Sequence, residues 1–321
     1  TRLKRPSARL PQSHAMNGKS FDLVAIGEPL IEFNQRDPAR PEFQMGFGGD
    51  TSNAVIAAAR LGARCAYITQ VGDDSFGDAL LALWQSEAVA TEGVRVIAGA
   101  PTGLYFVSHG ARGHEFTYRR AGSAASLMLP AGLPRELIAQ ASWLHVSGIS
   151  LAISETACAT VFEAIATARA AGTRISFDLH HRPRLWSASR ALELTRRALS
   201  DCDLFLPSVD EIALLTGFES PPAIIAWAHA QGARSVVLKR GAQGCIVSDG
   251  VSQTSLAGFP VTAVDATGAG DCFAGACLAQ LARGAPLVEA ARVANIAAAL
   301  STQGFGAVQP LPRWQQVQAL L

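Results

Sequence analysis

The spacing of apolar residues changes repeatedly along the chain, and each change marks an element. "FDLVAIG" (21–27) is apolar at almost every position and stops at glycine, as a buried strand does. "GFGGDTSNAVIAAARLGA" (46–63) reads as a glycine-rich loop and then a helix, with Thr51 or Ser52 as its cap and Gly62 as its stop. "CAYITQVG" (65–72) predicts the next strand and "DDSFGDALLALWQSE" (73–87) the next helix. After residue 140 the alternation predicts strands at 142–148, 174–179, 202–208 and 235–241. Helices fill the intervals at 154–171, 187–199, 209–216 and 221–231, and two more follow at 269–283 and 286–302.

Two stretches break this rhythm. "TGLYFVSHGARGHEFTYRRAG" (102–122) holds two alternating runs around the polar turn "HGARG", the pattern of an antiparallel hairpin with one wet face. Residues 244–263 make a second hairpin-like stretch. Repeated strand–helix units imply a mostly parallel sheet covered by helices on both faces. The expected architecture is one α/β domain with a small β appendage that acts as a lid.

Composition narrows the partners. The chain of 321 residues is 49% hydrophobic and 17% charged, enough to bury a sizeable core, and its net charge is +1. That balance argues against nucleic acid or an acidic surface as the main partner, while a small anionic metabolite needs only a local positive pocket. Cys65, Cys158, Cys202, Cys245, Cys272 and Cys277 form no CxxC pair, and several sit in apolar runs, as buried free thiols do. A reducing, cytoplasmic setting is expected, and no apolar run approaches the ~20 residues of a membrane span. Residues 1–20 carry five Lys or Arg and no acid, which reads as a disordered basic tail.

The stretch "DATGAGDCFAG" (265–275) carries the most chemistry. Gly268, Ala269 and Gly270 lead into a helix whose first turn holds Asp271. Glycines there let main-chain N–H groups approach a ligand, and a helix start favours an anion. A carboxylate at that place repels the anion unless it serves another partner. It can accept the proton of an alcohol that attacks the anion. The pattern suits phosphoryl transfer to a hydroxyl, and an aspartate that merely caps the helix suits it as well. The helix presents Phe273, Ala274, Cys277, Leu278 and Leu281 on one face and ends at Gly284. The stretch is neither a Walker loop nor a dinucleotide fingerprint.

"DATGAGDCFAGACLA" resembles the C-terminal signature of the ribokinase-like, PfkB-type carbohydrate kinases. "GFGGDTSNAVIAAARLG" with "VGDDSFGD" resembles the N-terminal one, and the likeness runs from about residue 21 to the C-terminus. It implies a ribokinase-like α/β fold over 21–321, with lid segments at about 28–47 and 98–125. It implies ATP, Mg²⁺ and transfer of the γ-phosphoryl group to a sugar hydroxyl, and it admits a monovalent cation. Carried over, Asp271 is the base, and Gly268, Ala269 and Gly270 form the anion hole. "LKRGAQG" matches the nucleotide-binding stretch and places Lys239, Arg240, Gly241, Ala242, Gln243 and Gly244 near ATP. In "PSVDE" (207–211), Ser208 replaces a frequent Asn, and Glu211 remains to organise water around Mg²⁺. Asn295 is a further candidate for the adenine pocket.

Within that family the chain resembles the 2-keto-3-deoxygluconate kinases through "GEPLIEF", "GGDTSNAV", "TGLYFV", "TYRR" and "HHRPRLW". The resemblance implies that Gly48, Gly49, Asp50, Thr51 and Ser52 line the sugar pocket and that Tyr105, Tyr118 and Arg120 come from the lid. Arg182 would hold the substrate carboxylate, a planar fork suited to that group. His180 stands where relatives carry an Asn expected to meet ATP. Read without the family, His180 and His181 are structural and the arginines are a solvated rim. The rivals are a kinase for a neutral sugar and a sugar-sensing protein without turnover. Pairing of lid sheets between subunits is expected to make a homo-oligomer.

Overall fold

The computed structural model describes residues 18–35, 37, 39–110 and 113–321, so most of the basic tail lies outside the described residues. The strands are β1 (Phe21–Ile26), β2 (Leu30–Gln35), β3 (Phe43–Gly48), β4 (Cys65–Gly72), β5 (Val89–Ile97), β6 (Leu104–Gly110), β7 (Gly113–Arg119), β8 (Ala141–Ser147), β9 (Arg174–Asp178), β10 (Leu204–Phe205), β11 (Ser235–Lys239), β12 (Cys245–Ser248) and β13 (Gln253–Leu256). The helices are α1 (Asp50–Arg60), α2 (Ser75–Ser86), α3 (Arg135–Ala139), α4 (Gly148–Ala152), α5 (Glu155–Ala170), α6 (Ala188–Leu199), α7 (Val209–Thr216), α8 (Pro221–Ala230), α9 (Ala269–Ala282), α10 (Leu287–Ser301) and α11 (Trp314–Gln318).

The central sheet has the order β13-β12-β11-β10-β9-β8-β1-β4-β5. It is parallel from β11 to β5, and the second hairpin-like stretch joins it as the antiparallel edge β12–β13. One face packs against α1, α2, α9 and α10 around Leu23, Tyr67, Trp84 and Leu278. The other packs against α5, α6 and α8 around Leu144, Val161, Phe177 and Ile225. From β1 the chain proceeds outward to β4, whereas β8 leads to β9 in the other direction. The strand order therefore reverses between β1 and β8, where open α/β sheets bind ligands at the carboxyl ends of their strands.

A second sheet, β3-β2-β6-β7, lies over those ends. The expected hairpin is β6–β7, in register from Leu104 opposite Arg119, and β2 joins β6 in parallel. The strands of this sheet lie at 30–35, 43–48, 104–110 and 113–119.

Four local expectations need correction. Gly49, at φ +103, is the N-cap of α1, and neither Thr51 nor Ser52 caps it. The strand expected over 202–208 shrinks to Leu204–Phe205: the Asp203 carboxylate takes the Ile175 N–H, and Pro207 has no N–H to give. The helix at Asp271 is buried on nearly every side, not along one face, because it lies between α1 and α10. Residues 18–20 belong to the folded body, since the Lys19 ammonium donates to Ala171 O at 3.3 Å. Among the described residues no helix is long and apolar enough to cross a membrane.

Candidate active site

The turn before α9 is built by its own side chains. Asp265 Oδ1 accepts from the Thr267 N–H at 2.9 Å and from its hydroxyl at 2.6 Å, and Oδ2 accepts from the Gly306 N–H at 2.9 Å. Gly268 caps the helix at φ +76, and a Cβ there would sit 3.1 Å from Ala307. The helix's backbone bonding begins with Cys272 N–H to Gly268 O, so the amides of Gly270 and Asp271 have no backbone acceptor among the described residues.

Asp271 is held from both sides. Asn53 Nδ2, on α1, donates to Oδ2 at 2.7 Å, and His180 Nε2 lies 3.1 Å from Oδ1. The same His180 nitrogen lies 3.3 Å from Asp178 Oδ2, at the end of β9, and Lys239 Nζ donates to that oxygen at 2.6 Å. Burial would raise the Asp271 carboxyl, but the bonds from His180 and Asn53 outweigh it and leave the value below its ordinary range. Burial likewise opposes the lowering of Asp178, yet His180 and Lys239 hold it strongly down. Asp50 has no comparable partners: burial pushes its carboxyl up, with only partial relief from His180.

The lid closes the other side. Arg120 pairs with the buried Glu28, which also accepts from the Ser123 hydroxyl. Burial raises the Glu28 carboxyl even against Arg120. Tyr105 stands opposite Glu32 in the sheet register and donates its hydroxyl to that carboxylate. The Tyr118 ring stacks on Tyr105 with centroids 5.7 Å apart. Arg182 Nη1 lies 3.1 Å from Glu211 Oε1.

These groups surround a cavity of about 720 Å³. Gly268, Gly270 and Asp271 line it together with Gly49 and Asp50. Tyr105, Tyr118 and Arg120 enter from the lid. His180, Arg182, Ser208, Glu211, Lys239 and Gly241 also line it. A second cavity of about 350 Å³ shares Lys239, Gly241, Ala266 and Gly270 with the first. Phe259, Val261 and Phe273 make it apolar, and Ala242, Gly244, Ala269 and Asn295 border it. Asn295 donates to Ala257 O at 3.3 Å there.

Five expected residues line neither cavity. Thr51 spends its hydroxyl on Tyr67 at 3.0 Å, and Ser52 accepts from Trp84 Nε1 at 3.0 Å, so both face the core. Gly48 backs the Tyr105 ring, where a Cβ would lie 2.6 Å from the hydroxyl. Arg240 turns to Ser255 Oγ at 3.1 Å, and Gln243 is exposed at the end of the turn Gly241–Gln243. Sequence reasoning missed Asn53, Asp178 and Glu28. The polar Asn three residues into "DTSN", and the acids at strand ends in "SFD" and "IGE", were the available signals. Among the described residues no cluster of three or more His, Cys, Asp or Glu could hold a metal ion. A magnesium ion that keeps its water and binds phosphate oxygens needs fewer protein ligands, and Glu211 is a hard oxygen donor on this cavity.

A covered cleft at the carboxyl ends of parallel strands, with a buried ionised carboxylate at a glycine-led helix start, defines a small-molecule enzyme of the open α/β class. The model of the pfkB family carbohydrate kinases matches residues 20–314, and the chain belongs to that family. It is 32% identical over 309 residues to a 2-dehydro-3-deoxygluconokinase of Dickeya dadantii, covering 90% of this chain and 97% of that one. It is 33% identical over 324 residues to a probable fructokinase of Arabidopsis thaliana, covering 96% and 98%. An E. coli structure solved in complex with ATP and Mg²⁺ superposes with a TM-score of 0.85 at 27% identity, covering 92% of this chain and 97% of that one. The fold is ribokinase-like, and the protein is a carbohydrate kinase.

Proposed function

We propose that this kinase transfers the γ-phosphoryl group of ATP to the C6 hydroxyl of 2-keto-3-deoxygluconate, with Asp271 as the base. One observation carries the reading: Asp271, its carboxyl held below the ordinary range, lines the polar cavity next in sequence to Gly270, which borders the apolar cavity as well. A sugar in the first and an adenine in the second would bring hydroxyl and phosphate together at that carboxylate. Asp271 accepts the hydroxyl proton as the oxygen attacks. The amides of Gly270 and Asp271, with Lys239, hold the charge on the transferring group. Glu211 and the phosphates would hold Mg²⁺, whose part is to neutralise phosphate charge. Tyr118, Arg120 and Arg182 on the cavity support an acid sugar, as does the likeness to the 2-dehydro-3-deoxygluconokinase of Dickeya dadantii.

A neutral sugar such as fructose is the second reading. It is favoured by the acids already paired with both arginines, Glu28 with Arg120 and Glu211 with Arg182. ADP release with MgATP and each of ketodeoxygluconate, its galactonate-derived epimer, fructose and ribose decides between them. The expected result is the highest kcat/KM with ketodeoxygluconate, and a preference for fructose would replace it with the second reading. Asp271→Asn is expected to lower kcat by about 10²-fold or more, the scale of a lost general base; near-normal turnover would remove the base assignment.

A further inference from the structure

Resting on that phosphoryl-transfer reading, we propose that His180 is the positioning residue of the base: it fixes one oxygen of Asp271 and supplies the positive charge that lets clustered carboxylates share the end of the cleft. Its Nε2 stands between Asp271 Oδ1 at 3.1 Å and Asp178 Oδ2 at 3.3 Å. Lys239 anchors the same Asp178 oxygen at 2.6 Å. With Asn53 on Oδ2, the Asp271 carboxylate is held at both oxygens and cannot rotate, while each oxygen keeps a second lone pair for the incoming proton.

The backbone is bent to achieve this. His180 has φ +40, one of two positive values among the described non-glycine residues, and such strain persists where the surroundings enforce it. The charged and titratable groups around the ring come from five elements: Asp178 from β9, Asp271 from α9, Asp50 from α1, Lys239 from β11 and His145 from β8. Burial works against a charged ring here, but Asp178 and Asp271 overcome it and hold the value well above 6.5. In the transfer the acceptor's O–H bond breaks as its oxygen bonds phosphorus, and the P–O bond to the departing nucleoside diphosphate breaks. The proton goes to Asp271, and His180 takes none, since its Nε2 already carries one and donates it.

The test compares kcat, KM and pH profiles of the wild type, His180→Ala, His180→Asn and Asp271→Asn, using MgATP and the best sugar of the panel. Asparagine tolerates positive φ and keeps a donor, so it separates the hydrogen bond from the charge. His180→Ala is expected to lower kcat about 10- to 100-fold, with both KM values within about twofold of wild type. His180→Asn should recover part of that loss and lack the alkaline fall in kcat that marks deprotonation of the wild-type ring. Unchanged kcat in His180→Ala, or an alkaline limb in His180→Asn equal to that of the wild type, would overturn the proposal. A raised KM for ATP at unchanged kcat would overturn it too, by making His180 a nucleotide contact. Full turnover by Asp271→Asn would sink the base reading instead, so the two failures are told apart.

Discussion

Two neighbours, His180 and Asn53, hold the Asp271 carboxyl below its ordinary range, which sets how it responds to change. Removing Asn53 takes away one of the bonds that lower its pKa. Asn53→Ala is therefore expected to reduce kcat about tenfold and to move the acid limb of the rate profile to higher pH, as read from kcat between pH 4 and 8. An unmoved acid limb would show that Asn53 does not tune the proposed base. The place of the carboxylate in the first turn of a glycine-led helix was legible, because the signal is local: glycine, helix start and acid adjoin in sequence. Asn53, Asp178 and the pairing of Arg182 with Glu211 were not, because each acquires its meaning from a residue far away in the chain. Thr51 and Ser52 mislead for the opposite reason. They sit in a signature, yet their hydroxyls serve Tyr67 and Trp84 in the core.

The elements that carry the site are locked to one another at close quarters. At Gly275, in α9, a Cβ would lie 2.0 Å from Ala54 O and 3.0 Å from Ala57 Cβ of α1. These helices bring Asp271 and Asn53 together. Gly275→Ala must push them apart, and overpacking of this kind costs about 1–3 kcal/mol. A lower melting temperature with reduced kcat is expected; a variant with both unchanged would show that the helices can part freely. Most long elements were legible from their periodicity. The strand Val89–Ile97 was not, because Glu92, Gly93 and Arg95 interrupt its apolar run at the sheet edge. The helices Arg135–Ala139, Gly148–Ala152 and Trp314–Gln318 are too short to show a period.

Across the whole molecule, two apolar cores sandwich the sheet, and His145 is buried between them. Burial pushes its value down to about 4 from 6.5. A depressed histidine contributes stability that is complete above 6.5 and is lost as pH falls from there towards 4, about 3 kcal/mol in all. His180 has the opposite sign: its contribution is complete below 6.5 and fades as pH rises through its raised value. Denaturant unfolding between pH 7 and 4 should show the wild type losing more stability than His145→Asn; parallel losses would exclude His145 as the acid-sensitive group. The contact between Asn53 and Asp271 spans 218 residues. Ribosomes must therefore make more than four-fifths of the 321-residue polypeptide before the proposed base can meet Asn53, and if Asp271 is that base, a truncated product ending ahead of residue 269 is expected to be catalytically silent however well its first strands had assembled.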